Sequence, residues 1–106
     1  MSTTLSESDF RLAADSALES LERTMLPLCD EHDVEVEALN GVLQIVFESP
    51  ATKFVVSPNA PVRQIWVSAM SRSYKLSWTP ATGKFELDGE SLDVLLSRLV
   101  RQNLGL

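Results

Sequence analysis

The chain holds one cysteine, one histidine, one tyrosine and four glycines in 106 residues. A single cysteine excludes an intrachain disulfide framework and a zinc site built from cysteines alone. A single histidine excludes any site that needs two imidazoles from one chain. Basic residues are scarce, nine against fifteen acidic ones, for a formal charge of -6. That balance speaks against a nucleic-acid binder, which carries a basic patch. It favours a metal cation or a basic protein partner. No apolar run reaches the roughly 18 residues of a membrane span, so no membrane association is expected. The stretch from Met1 to Asp9 has no basic segment followed by an apolar one, so no signal peptide is expected. The unpaired Cys29 is compatible with a reducing compartment, and a cytoplasmic location is expected.

What is present is enough for one core. Apolar residues make up 44% of the chain, too many for a disordered segment. A chain of this length forms a single domain, 1–106, that buries roughly two-thirds of its unfolded surface. Phe10, Ala14, Ala17, Leu18, Leu21 and Met25 recur at spacings of three and four, which predicts a helix from about Ser6 to Met25. Ser6 with Asp9 resembles a capping box, and Pro27 is expected to end the helix by about Leu26. Leu28 to His32 then serves as a connector. From Asp33 to Ala38 the chain alternates strictly between acidic and apolar residues, a strand pattern. Asn40 and Gly41 between that run and Val42–Phe47 signal a two-residue hairpin.

Further strands are predicted near Lys53–Ser57, Arg63–Ala69, Tyr74–Trp78 and Lys84–Leu87. The breaks fall at Ser49 and Pro50, at Pro58 to Pro61, at Ser71 to Ser73 and at Thr79 to Gly83. A second helix begins near Ser91, with Leu92, Leu95, Leu96, Leu99 and Val100 as its stripe. Consecutive strands with short connections cannot alternate with helices. The expected class is therefore α+β: two helices packed on one face of an antiparallel sheet of five to six strands.

Charge is unevenly distributed. Residues 1–48 carry eleven acids and two bases, a net of -9, while 49–106 carry four acids and seven bases, a net of +3. Asp15, Glu19 and Glu22 fall on one helical face, and Asp33, Glu35 and Glu37 repeat on one strand face about 7 Å apart. Such carboxylates form an open, oxygen-only surface suited to hard cations such as iron, manganese or calcium, with water completing the shell. The plain alternative is a solvated acidic face, and a third is steering toward a basic partner. Cys29 and His32 have ligand types at zinc-like spacing, but no second pair accompanies them. No phosphate loop, dinucleotide fingerprint or nucleophile elbow is present. A serine triad would have to use His32, and nothing places a serine beside it. The chain is therefore expected not to be an enzyme. Trp66, beside Gln64 on the strand face opposite Ile65, is a candidate interface anchor.

Several of these segments together resemble the frataxin family, its bacterial branch most of all. They are Asn40-Gly-Val-Leu43, Phe54-Val-Val56 leading to Pro61, Gln64-Ile-Trp-Val-Ser-Ala69 with Tyr74, and Gly89-Glu-Ser-Leu92 before a leucine-rich helix. The resemblance runs from Asp9 to about Leu104, and Gln64-Ile-Trp66 is its most specific piece. It implies an α-β sandwich that binds iron, ferrous or ferric, weakly on an acidic ridge of the first helix and strand. The matching positions here are Asp15, Glu19, Glu22, Asp30, Glu31, Asp33, Glu35 and Glu37. It further implies service to iron–sulfur cluster assembly by docking on a cysteine desulfurase and its scaffold protein, with Gln64 and Trp66 on the docking surface. A monomer is expected, with iron-dependent oligomers as the alternative state. A metal-independent acidic module that regulates the desulfurase is the competing reading. The chain departs from the family where Arg23 to Cys29 interrupt the ridge and where Tyr74-Lys75-Leu76 lacks a histidine.

Overall fold

A computed structural model describes residues 5–48 and 51–106; the predicted break at Ser49 and Pro50 lies outside them. Helix α1 spans Glu7–Glu31. The sheet follows as β1 (Glu35–Leu39), β2 (Val42–Glu48), β3 (Ala51–Asn59), β4 (Gln64–Ala69), β5 (Arg72–Thr79), β6 (Lys84–Leu87) and β7 (Glu90–Ser91). Helix α2, Leu92–Leu104, closes the chain. A 3-10 turn at Ala60–Val62 joins β3 to β4. The seven strands pair in sequence order, and every pairing is antiparallel. The expected class is what forms. Among the described residues the strand count rises to seven, because the two-residue β7, too short for a periodic signal, pairs with β6 just before α2.

The register settles which residues share a face. Ile45 pairs with Phe54, Leu43 with Val56, Val56 with Val67, Ile65 with Leu76 and Trp78 with Phe85. These side chains and the α1 and α2 stripes make one core of buried apolar groups, with Trp78 half-buried against it, and no described polar side chain is buried with them. Phe10 meets Phe85 edge-on with ring centroids 5.7 Å apart. The opposite, open face carries Gln44, Val55, Gln64, Trp66, Ser68, Lys75 and Ser77 in register.

The expected end of α1 at Leu26 is overturned. Pro27 lies inside the helix on its exposed side. It withholds one amide from Arg23 and costs about 3 kcal/mol. The stripe continues from Met25 past it to Cys29, which is fully buried. Unwinding at Leu26 would forfeit the burial of Cys29 and the closure of the Val34 amide onto it, and fully burying a Val-sized side chain alone contributes about 1.5–3 kcal/mol. Ser6 caps the other end as expected, its Oγ accepting from the Asp9 amide at 3.1 Å. Asp30 and Glu31 therefore belong to the last turn of α1 and not to a connector.

Four other boundaries shift for local reasons. Pro58 and Asn59 lie within β3, because β2 reaches only as far as Val56 and leaves the Pro58 position without a neighbour on that side. Arg63 is left-handed (φ 54°), outside β4. Its guanidinium holds the Ala60 carbonyl and the Leu5 carbonyl, the latter at 3.1 Å. Thr79 completes β5, and its carbonyl accepts from the Gly83 amide at 2.8 Å. The β4–β5 turn is Met70–Ser71, since Ala69 pairs with Arg72. Both turn residues have positive φ, 53° and 62°, the same conformation that Asn40–Gly41 and Asp88–Gly89 adopt in their hairpins.

Two predictions follow from this architecture. Left-handed backbone costs an ordinary side chain roughly 1–2 kcal/mol, so Met70→Asn with Ser71→Gly should stabilise the fold by about 1–2 kcal/mol, read as a higher urea midpoint at unchanged slope. An unchanged midpoint would mean that the turn is already relaxed. The second concerns Glu90, whose carboxylate receives both Nε (2.9 Å) and Nη2 (2.8 Å) of Arg98. That hydrogen-bonded guanidinium lowers the Glu90 pKa from its ordinary 4.5. A lowered folded-state pKa gives stability that is present above 4.5 and lost as pH falls through the folded value. Glu90→Gln should therefore lower stability at neutral pH, with the difference closing in acid. A gap that persisted at the lowest pH would contradict the ion pair as its source.

Candidate functional site

The eight acids singled out from the sequence do not share one surface. Asp15, Glu19 and Glu22 of α1 line a groove of ≈ 250 Å³ against the β1–β2 hairpin, whose Ala38–Leu43 form the other wall. Asp30, Glu31 and Asp33 sit at the C-terminal end of α1. Glu35 and Glu37 pair with Val46 and Gln44, which puts them on the open face of the sheet. Their apolar neighbours Val36 and Ala38 take the helix side. The strand alternation therefore has the expected phase, with Val34 and Val36 turned inward, but its acids look away from the helix acids. Asp33 is not in the strand at all.

Asp33 has a backbone task. Its φ is 56°, and the amides of His32 and Val34 both reach the Cys29 carbonyl, at 3.1 and 3.0 Å. This is the left-handed helix ending in which the second residue beyond the cap closes back onto the last turn and tucks in an apolar side chain. Val34 is that side chain and is buried. At the end of α2 the same closure is made by Gly105, with the Leu106 amide on the Arg101 carbonyl at 2.9 Å. Glycine is usual at such a position, and α1 uses aspartate instead.

The end of α1 is electrostatically unfavourable. A helix C-terminus carries partial negative charge that cations relieve, yet its last turn holds no basic residue and two acids. Burial, reinforced by the neighbouring Asp30, pushes the Cys29 thiol up to about 11. Cys29 is thus a core side chain in its neutral form, and a zinc pairing with His32 has no support in the geometry. Among the described residues, no three or more His, Cys, Asp or Glu side chains are grouped closely enough to enclose a metal ion. The described acids thus form open surfaces and no enclosing cage.

On the open face Trp66 is 37% exposed. Its Nε1 donates to Gln64 Oε1 at 3.0 Å, and Gln64 Nε2 donates to Ser77 Oγ at 3.2 Å. Lys75 lies over the ring, 4.9 Å from its centroid. The sequence paired Gln64 with Trp66 correctly but missed Lys75. The cross-strand pair Trp66–Lys75 follows only from the two-residue turn at Met70–Ser71, which lacks a glycine or asparagine to announce it. A second groove, of ≈ 440 Å³, lies on the helix side between Ala17 and Ser20 of α1, Trp78 and Phe85 of the sheet, and Leu92 and Asp93 of α2. The Asp93 carboxylate accepts from Ser20 Oγ at 2.8 Å and Thr24 Oγ1 at 3.2 Å, tying the helices together across it.

Because Asp33 is held left-handed, Asp33→Gly should raise stability by about 0.5–1 kcal/mol while deleting one acid of the ridge. Thermal unfolding of the two proteins checks this. A loss of stability would instead mean that the carboxylate itself makes a stabilising contact.

Residues 3–106 match the family described as a frataxin-like domain. The iron-sulfur cluster assembly protein CyaY of Janthinobacterium sp. (strain Marseille) is 30% identical over 104 residues, 96% of this chain and 93% of its own. The protein of the same name from Ralstonia nicotianae is 31% identical over 100 residues, 92% of this chain and 88% of its own. A solved frataxin from Psychromonas ingrahamii superposes with a TM-score of 0.68 over 93% of this chain and 91% of that one. It is 17% identical, so the likeness is one of fold. Seven meandering strands under two helices, an acidic first half and this match over nearly the whole length agree: the chain belongs to the frataxin family, in its bacterial CyaY-like branch.

Proposed function

We propose that this protein is an iron-binding accessory protein of iron–sulfur cluster assembly, a carrier and docking protein of the cytoplasm and not an enzyme. Iron is its cargo, held weakly and with most of its water shell, and its partners are a cysteine desulfurase and the scaffold protein. The family and the names of its relatives support the assembly role. The observation that carries the iron reading is the groove in which Asp15, Glu19 and Glu22 face the β1–β2 hairpin, continued by Asp30, Glu31 and Asp33 at the helix end. Carboxylate oxygens at solvent-open positions are the donors that hard cations accept. A cation there also relieves the helix end, where negative side chains meet the negative pole of the dipole. Glu35 and Glu37 extend the field onto the sheet face, toward Gln64 and Trp66.

A second reading is a metal-independent docking module. The observation favouring it is that the described acids nowhere converge to enclose an ion, while Trp66 stands exposed on the open face of the sheet. In that case the acidic field and Trp66 are the working parts, and iron is incidental.

Amide NMR titration with ferrous iron under anaerobic conditions, with calcium as control, separates the two. The iron reading expects broadening confined to 15–22 and 30–37. It also expects binding about tenfold or more weaker when Glu19→Gln, Glu22→Gln, Asp33→Asn and Glu35→Gln are combined, because affinity follows ligand charge. Unchanged iron binding in that variant would overturn it. Localised effects of calcium equal to those of iron would leave a general cation surface and favour the docking module. That module expects Trp66→Ala and added salt to weaken desulfurase binding even in chelator.

A further inference from the structure

We propose that β1 is a docking edge, to which a basic, extended segment of a partner protein adds as a further strand. This deepens the proposed function by naming how the acidic half engages a partner, and it rests on the partner being basic there. In the strand order β1 is terminal, with no strand beyond it among the described residues. The other edge, β7, is two residues long and runs straight into α2. On that side β5 also leaves residues 72–76 without a β6 partner, but that stretch carries Arg72 and Lys75 and would repel a basic strand, so β1 is the free edge flanked by acids.

The hairpin fixes which backbone groups are free. Leu39 and Val42 flank the two-residue Asn40–Gly41 turn, so they form its closing hydrogen-bonded pair. Hydrogen-bonded pairs alternate along an antiparallel ladder, so Glu37–Gln44 and Glu35–Val46 are bonded pairs as well. The amides and carbonyls of Val36 and Ala38 then point outward, away from β2. An added strand would pair with those two residues.

Charge decides the occupant. Side chains of an added strand alternate between the two faces of the sheet. On the helix side they would enter the groove lined by Asp15, Glu19 and Glu22. On the open side they would lie beside Glu35, Glu37 and Leu39, the last 72% exposed. Both sets meet carboxylates, so a basic strand is complemented on both faces. A second copy of this chain is disfavoured, because pairing β1 with β1 sets Glu35 and Glu37 against their own counterparts, and like charges across strands repel. The glutamates thus guard the edge against self-association while leaving it open to a partner of opposite charge.

The test uses a capped hexapeptide of alternating arginine and valine as the probe, followed by amide NMR and hydrogen exchange on the whole protein. Its fully N-methylated counterpart keeps the charge and side chains but offers no amide donors. The unmethylated peptide should shift and protect Val36 and Ala38, and the methylated one should bind about tenfold or more weakly, as the loss of more than one backbone hydrogen bond requires. Ala38→Pro removes an outward donor at a position where an edge strand tolerates proline, and should weaken the unmethylated peptide about three- to tenfold. If that variant fails to fold, the methylated peptide alone decides. Equal binding of both peptides would reduce the interaction to surface ion pairing and overturn strand addition, as would shifts confined to the face around Trp66. The iron titration involves no peptide, so a failure of either leaves the other standing.

Discussion

The burial of Val34 beneath the end of α1 sets the direction of every acid that follows it. Its amide closes onto the Cys29 carbonyl and its side chain joins the core. Once Val34 points inward, the twofold period of a strand sends Val36 and Ala38 to the helix side and Glu35, Glu37 and Leu39 to the open face. A shift of one residue would exchange the two sets. It would turn the carboxylates toward the helix side, where Val34 is buried and Val36 half-buried, and an unpaired buried charge is far costlier than a lost apolar contact. The phase is therefore fixed by the helix ending, and the helix ending is fixed by Cys29.

That chain of dependence runs back through Pro27. A helix that stopped before the proline would keep Phe10 to Met25 in the core but would lose Cys29 and the closure that buries Val34. The missing bond at Pro27 falls on the solvent side, where water can serve the freed Arg23 carbonyl. The penalty is local and the gain is distributed over the end of α1 and the start of β1. The same end gathers Asp30, Glu31 and Asp33 against the helix dipole. A chain selected for stability alone would place bases there, and Gly105 and Arg101 at the end of α2 show that this chain uses such endings elsewhere.

Much of this was legible in the sequence because the signals were periodic. The α1 stripe, the Asn40–Gly41 hairpin, the leucines of α2 and the inward phase of Val34 and Val36 all rest on repeats of 3.6 or 2 residues. What escaped lies where a local rule met a tertiary contact. The helix-breaking rule for Pro27 yielded to burial of Cys29. The β4–β5 turn hid because Met70 and Ser71 carry left-handed backbone without the residues that announce it, and with it hid the Trp66–Lys75 pair. Arg63 read as a strand residue, since nothing in its neighbours reveals that its side chain ties the 3-10 turn to Leu5. The acidic ridge was legible as composition but not as geometry, because spacing along a strand does not say which face of a sheet lies beside a helix.

The geometry bears on what such acids can do. Eight carboxylates divided among a groove, a helix end and the opposite sheet face cannot close on one ion, but they act together at a distance. At physiological ionic strength charges interact over about 8 Å, comparable to the roughly 7 Å between alternate strand residues. Neighbouring groups therefore reinforce one another, and the field wraps continuously around the β1 edge from the α1 groove to the face that bears Trp66. A closed cage would bind its ion tightly and release it slowly. On the proposed function, an open acidic rim would instead hold a hydrated cation loosely and present the same charge to a basic surface, so cation and partner would compete for one field. Under that proposal such competition would give a physical route by which docking displaces a loosely held cation.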